Sequence, residues 1–377
     1  MMLHELNELA DTIEAASYSS VEDGVTITVK PVPDALREHA LDPRVKKRIE
    51  SRLAAKKAAG TKGGAFSLRC TRKPPVFDAG LYGDASTVEE RLVEIDGDHR
   101  IDVFVVRPKS FAAGRPVLIH FHGGGFTMGG FAWQEPQMRA IAERSGCTVV
   151  YPEYRLAPEC PFPGPVRDAW GTLLWVREHA EELEIDPERI VLSGDSAGGS
   201  LANACVMLDI ENAAGDRSAR LVHHVFEVYP SFDWRAAQEQ DDYPWSLDLY
   251  DMCEDERELV VPRILNIKRC REHRLGTPVD LYFQGADVSD PLASAACADD
   301  SVLAEFPTVV VAVADYDYLR IVDEYMARRF ARLGVPVELI EYEGIDHGFL
   351  DKFQDYPQSL ELCCTIAADL AACAQNQ

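Results

Sequence analysis

The opening residues, Met-Met-Leu-His-Glu-Leu-Asn-Glu, lack the positive n-region and apolar core of a secretory signal, and no later apolar run is long enough to cross a bilayer. Both absences predict a cytoplasmic protein without a membrane span. Basic residues are scarce as well: 38 Lys and Arg stand against 63 Asp and Glu, a formal net charge of -25. Such a surface repels polyanions, so nucleic acid is a poor partner and a neutral or cationic ligand fits better. The same surplus also serves solubility, with no bearing on the ligand. The ten cysteines include the adjacent pair Cys363 and Cys364 but show no CxxC spacing and no companion histidine pattern. They read as reduced core or surface thiols rather than as a disulfide framework or zinc site. Internal repeats and low-complexity segments are missing too.

What is present is a long chain. Its 377 residues suit one large α/β domain with an elaboration, or two ordinary domains. As far as Pro75 the sequence is charged and helix-like, with Asp34 to Ala59 rich in Lys, Arg, Ala and Leu around a break at Pro43. From Glu89 the pattern turns strand-like: Arg91 to Ile95, the turn residues Asp96 and Gly97, and Ile101 to Val106 predict a hairpin. Further strands are predicted at Pro116 to Phe121, Thr148 to Pro152, Arg189 to Leu192, Val222 to Val228, Thr308 to Ala314 and Val335 to Ile340. Helical segments such as Val166 to Leu183 and Ile321 to Leu333 alternate with them. That alternation predicts an α/β fold with a mainly parallel central sheet flanked by helices. One interval breaks the rhythm: between Ser231 and Val260 ten acids face two arginines. This insertion, residues 231–294, is placed to form a lid, and the helical segment 1–75 is placed to join it as a cap over a catalytic domain spanning 76–377.

Two Gly-rich stretches carry chemistry. "GDSAGG", Gly194 to Gly199, follows the apolar run to Leu192 and precedes a helical run from Ser200. A serine on such a strand-turn-helix junction is exposed to a substrate and sits at a helix N-terminus, where negative charge is stabilised. "HFHGGGF", His120 to Phe126, ends another strand, and its glycines let backbone amides approach a ligand closely. Together they predict Ser196 as nucleophile, with the amides of Gly124, Gly125 and Ala197 as oxyanion donors. A serine alcohol needs a base. His120 and His122 belong to a strand and the glycine loop, and His223 and His224 are adjacent within a strand, so at most one of that pair faces the core. His347, in "GIDHGF", lies on a loop after a strand and is the candidate base. The strand Thr308 to Ala314 runs into "VADYDYLR", which offers Asp315 and Asp317 as the orienting acid; spacing does not choose between them.

In order along the chain, "HGGGF", "YRLAPE" with "PFP", "GDSAGG", "YDYLR" and "DHGF" resemble the blocks of the hormone-sensitive-lipase-like α/β-hydrolases, also called bacterial family IV esterases. The resemblance runs from about Val105 to Phe353. It implies an α/β-hydrolase fold with a helical cap, a triad of Ser196, Asp317 and His347, and the loop Tyr154 to Glu159 as structural support. It further implies a serine carboxylesterase that forms an acyl-enzyme on neutral, short- to medium-chain esters and needs no cofactor. Phe126, Trp133, Trp234, Trp245 and Phe349 are expected as pocket walls. Tyr318 stands where the family has proline, and the interval from Ser196 to Asp317 is long, so the cap is expected to be enlarged. The first 75 residues carry no family motif. Two other readings use the same scaffold: a deacetylase or amidase acting on acetylated sugars or aryl amides, and a non-catalytic small-molecule receptor, which the presence of His347 disfavours. A homodimer is expected to use Val335 to Ile340 as an edge strand, or the apolar helix Leu360 to Ala372.

Overall fold

Runs of Val, Ile and Leu too short for helices and apolar on both faces form the centre of a ten-stranded sheet in the computed structural model. It describes residues 3–58, 68, 72–81, 84–97, 99–272 and 275–374. The strands are β1 (Tyr18–Glu22), β2 (Val25–Lys30), β3 (Ser86–Glu94), β4 (Arg100–Pro108), β5 (Arg115–Phe121), β6 (Thr148–Pro152), β7 (Ile185–Asp195), β8 (Val222–Val228), β9 (Thr308–Tyr316) and β10 (Val337–Asp346). The helices are α1 (Leu3–Ala16), α2 (Pro43–Ala58), α3 (Phe131–Ser145), α4 (Gly164–Glu178), α5 (Ala180–Leu183), α6 (Ala197–Asn212), α7 (Arg257–Cys270), α8 (Pro278–Phe283), α9 (Asp300–Leu303), α10 (Arg320–Arg332) and α11 (Pro357–Cys373). Strand order is β1-β2-β10-β9-β8-β7-β5-β6-β4-β3. From β2 to β6 all neighbours are parallel; β1 with β2, β4 with β6 and β3 with β4 are antiparallel.

Side chains of alternate residues leave the sheet on opposite faces, so the core has two halves. One packs α4, α6 and α10 through Leu173, Leu201 and Met326; the other packs α1, α3 and α11 through Leu6, Met138 and Leu360. The expected strands and leading hairpin are present, with β7 and β10 running several residues further than their expected ends and β9 slightly further. The predicted helix Val166 to Leu183 is divided into α4 and α5. Among the described residues no helix is long and apolar enough to cross a membrane, and the nine described cysteines are all free.

The N-terminal segment departs from expectation. It is not wholly helical: α1 leads into the β1–β2 hairpin, which turns at Asp23 and Gly24, both with positive φ (49° and 82°), and pairs β2 with β10. Pro43 does not break a helix but begins one, where its missing N–H costs nothing; the predicted end of that run, Ala59, lies outside the described residues. The stretch Val335 to Ile340 is therefore no sheet edge, because β2 covers β10. In the helix Leu360 to Ala372 the apolar residues Leu360, Leu362, Ile366 and Leu370 are buried against the sheet. Lys30 locks the hairpin in place: its buried ammonium donates to Glu361 at 2.8 Å and also contacts Glu14.

The remaining N-terminal residues meet the insertion after β8. His39 O accepts from Cys253 N at 3.2 Å and from Tyr316 Oη at 2.5 Å. Leu41 N donates to Glu256 Oε2 at 2.7 Å, and Lys46 pairs with Glu256 at 2.9 Å. Helices α2 and α7 thus lie together over the C-terminal ends of the central strands, the end of a parallel sheet where ligands bind.

Candidate active site

Close backbone packing explains the glycines around Ser196. A Cβ on Gly194 would stand 2.3 Å from the Gly198 carbonyl group, one on Gly198 would stand 1.9 Å from Phe121 O, and one on Gly199 would stand 2.5 Å from Pro230 Cβ. No side chain fits there, so the chain turns from β7 into α6 within a single residue. Ser196 absorbs the turn at φ 53° and ψ -114°, a strained conformation for a residue with a Cβ. Its N–H is held by Val228 O at 2.9 Å, and its carbonyl accepts from Ser231 N at 2.9 Å. The hydroxyl is thereby held above the sheet at the N-terminus of α6.

His347 and Asp317 reach the same point from the ends of β10 and β9. His347 Nε2 lies 3.0 Å from Ser196 Oγ, and His347 Nδ1 lies 2.5 Å from Asp317 Oδ2. With Nδ1–H donated to the carboxylate, Nε2 carries a lone pair directed at the serine. Asp317 is fully buried and its other oxygen accepts from Leu319 N at 3.0 Å, so the acid cannot swing away. Asp315, the alternative acid, is occupied elsewhere, by Arg320 Nη1 at 3.0 Å and Gly344 N at 3.2 Å. The Tyr229 ring packs 4.8 Å from the imidazole.

The glycine loop closes the other side. Gly124 and Gly125 have φ of 112° and 59°, values that favour glycine. Among the described residues no protein acceptor takes the N–H of Gly124, Gly125 or Ala197. Asp195, beside the serine, fixes the loop: its Oδ1 accepts from Gly123 N at 2.8 Å and Gln134 Nε2 at 2.9 Å. Burial opposes its charge, but hydrogen bonding to His120 and Gln134 outweighs it and holds the carboxyl below the usual range. Burial pushes the His122 imidazole down to about 4, so it is neutral, stacked on Tyr154 at 4.1 Å. His120 bridges Ser193 and Gln134, and His224 faces inward to Asp369 while His223 is exposed. Tyr154 to Glu159 supports the loop, with Ala157 N donating to Phe126 O at 2.8 Å. Arg72 adds a clamp, donating to Thr127 O and Ala157 O.

The expected pocket residues divide. Trp133 borders a small cavity with Gly123, Gly124, Met128 and Asp351. Trp245 is partly exposed and sits 5.7 Å from Tyr318. Phe126, Trp234 and Phe349 are not open walls. Phe126 stacks on Tyr282 of α8 at 3.7 Å and lies 5.2 Å from Trp234, while Phe349 packs on Tyr229 and Tyr342. Burial against the cap and the core claims all three rings. Sequence reasoning also missed Asp195, although it lies inside "GDSAGG", and Arg263, which reaches from α7 to Asp346 Oδ2 at 2.5 Å.

Residues 118–351 match the family model described as alpha/beta hydrolase fold. The chain is an α/β-hydrolase of the hormone-sensitive-lipase-like family. It is 30% identical over 314 residues to carboxylesterase NlhH of Mycobacterium tuberculosis, covering 82% of this chain and 89% of that one. It is 31% identical over 235 residues to an arylesterase of Saccharolobus solfataricus, covering 62% and 68%. Among solved structures, a thermostable esterase from Pseudomonas putida shares the fold at TM-score 0.70 and 22% identity, covering 90% of this chain and 100% of that one. An esterase from the archaeon Pyrobaculum calidifontis does so at TM-score 0.66 and 25% identity, covering 88% and 98%. Within this α/β-hydrolase the five sequence blocks converge: each contributes either to the Ser196–His347–Asp317 chain or to the loop facing it.

Proposed function

We propose that this α/β-hydrolase is a serine carboxylesterase working through an acyl-enzyme, with Ser196 as nucleophile, His347 as base and Asp317 as its orienting acid. The observation that carries the reading is the continuous hydrogen-bonded chain from Ser196 Oγ through His347 to Asp317, opposite amides that no acceptor among the described residues occupies. Ser196 Oγ attacks the ester carbonyl carbon as its proton passes to His347 Nε2, and the carbonyl oxygen becomes an oxyanion facing the N–H groups of Gly124, Gly125 and Ala197. The tetrahedral intermediate collapses, the C–O bond to the alcohol breaks, and His347 returns the proton to the leaving oxygen. Water then gives its proton to the same nitrogen as it attacks the acyl carbon, and the acid is released with Ser196 restored.

The substrates best suited to this site are short- to medium-chain esters. The cap meets the glycine loop closely: a Cβ on Gly125 would stand 3.0 Å from Pro278 of α8. Over p-nitrophenyl acetate, butyrate, octanoate and decanoate, kcat/KM is expected to peak at acetate or butyrate. By decanoate it should fall at least ~10-fold, since each misfitting methylene costs about 1–3 kcal/mol. A maximum at decanoate would remove the short-chain assignment, and faster turnover of p-nitroacetanilide than of the acetate ester would favour an amidase.

A further inference from the structure

The chain's positive charges gather where its net charge would not place them. Helix α2 carries seven Lys or Arg against one acid, and α7 four against one, although acids outnumber bases 63 to 38 in the whole chain. Across an open groove of about 430 Å³ these helices present Arg52, Leu53, Glu258, Arg263, Asn266 and Arg269 to one another. Away from the groove two cations of α2 are paired, Arg44 with Asp34 and Asp42 and Lys46 with Glu256. Among the described residues Arg52 and Arg269 have no such ion-pair partner. Arg48 and Arg263 lie near enough to repel the charge of Arg52, and Asp346 offsets them only in part. Two helices of one sign face each other with too little negative charge between them.

This groove adjoins the catalytic machinery. Arg263 of its wall is bonded to Asp346, the residue before His347. Lys352, buried beside Asp351 and Asp346 as well as near Arg48 and Arg52, directly follows Asp351, which lines the small cavity beside Gly123 and Gly124. The groove therefore reaches the neighbour of His347 through Arg263, with Asp346 and Asp351 set between its arginines and the glycine loop.

We propose that the groove binds an oxyanion carried by the substrate, so that the natural ester bears a carboxylate or phosphate remote from its scissile bond. This rests on the ester-hydrolase reading above, and it replaces the neutral substrate expected from net charge with an anionic one. Net charge is a poor guide here because mobile ions screen exposed charges beyond roughly 8–10 Å. A ligand at the groove responds to the nearest guanidinium groups, whose planar forks match carboxylate and phosphate oxygens. An anion between α2 and α7 would also convert their mutual repulsion into attraction to a shared partner.

The test compares phenyl butyrate with its p-carboxy and p-phosphate counterparts, and p-nitrophenyl butyrate with p-nitrophenyl hemiglutarate. The comparison is made for wild type and for the double variant Arg52→Gln, Arg269→Gln, both at exposed positions. At low salt, wild-type kcat/KM for at least one charged ester is expected to exceed that of its neutral partner roughly tenfold to a hundredfold. The double variant should erase that preference while leaving the neutral esters within about twofold, and about 0.5 M salt should do the same. Which charged ester is preferred tells carboxylate from phosphate and acyl side from alcohol side. Calorimetric titration of Ser196→Ala with the same esters reads binding without turnover. Charge-selective binding without hydrolysis by wild type leaves the groove standing and removes the hydrolase reading; hydrolysis with no charge preference in either assay does the reverse. Equal losses on charged and neutral esters in the double variant also overturn the proposal.

Discussion

Ser196→Ala is expected to lower turnover of p-nitrophenyl butyrate by on the order of a millionfold, the usual cost of losing a nucleophile that acts as one unit with its base. Alanine keeps the Cβ at φ 53° and leaves untouched the two backbone bonds that shape the turn, Ser196 N to Val228 O and Ser231 N to Ser196 O. The fold should therefore survive, with an unchanged urea midpoint. What disappears is only the oxygen 3.0 Å from His347 Nε2. A residual rate well above background is expected, because the amides of Gly124, Gly125 and Ala197 still face a bound ester. A variant that unfolds would report on the turn; a variant that folds and keeps its activity would show that another group attacks.

Asp317→Asn should cost about 10⁴-fold in kcat. The replacement amide can donate to His347 Nδ1, which places the ring proton on Nε2 and removes the lone pair that accepts from Ser196. Asp315→Asn is the matched control, two residues away on the same strand end. Its side chain serves Arg320 and Gly344, so turnover should stay within about tenfold while stability falls by about 1–3 kcal/mol. Steady-state kinetics and urea unfolding on both variants separate the roles. If Asp315→Asn were the inactive one, the acid would be misassigned.

The choice between these two acids marks the limit of what spacing conveys. The two flank Tyr316, the last residue of β9, and only the contact across to β10 distinguishes them; the family blocks point to Asp317, and the hydrogen bond to His347 lies there. The parallel strands were legible because buried strands are continuous apolar runs, whereas the β1–β2 hairpin was not. Tyr18 to Gly24 is mostly polar and exposed, β2 is a short run in which Thr alternates with Val and Ile, and its partner β10 lies more than 300 residues away. The aromatic residues show the same limit from the other direction. Phe126 and Phe349 lie within the motifs and Trp234 in the insertion, yet their rings are claimed by Tyr282, Tyr229 and Tyr342, contacts that only the folded cap and core supply. Pairings such as Arg263 with Asp346 and the facing of α2 and α7 join segments about 80 and 200 residues apart, and no local pattern announces them.

The central claim is that Ser196 carries the acyl group. The direct measurement is intact-protein mass spectrometry of enzyme quenched in acid within the first turnovers on p-nitrophenyl butyrate, followed by peptide mapping. The account predicts a single butyryl addition on the peptide containing Ser196 in wild type and none in Ser196→Ala. An adduct on any other residue, or full turnover with no adduct at the earliest quench and no burst of p-nitrophenol, would contradict it.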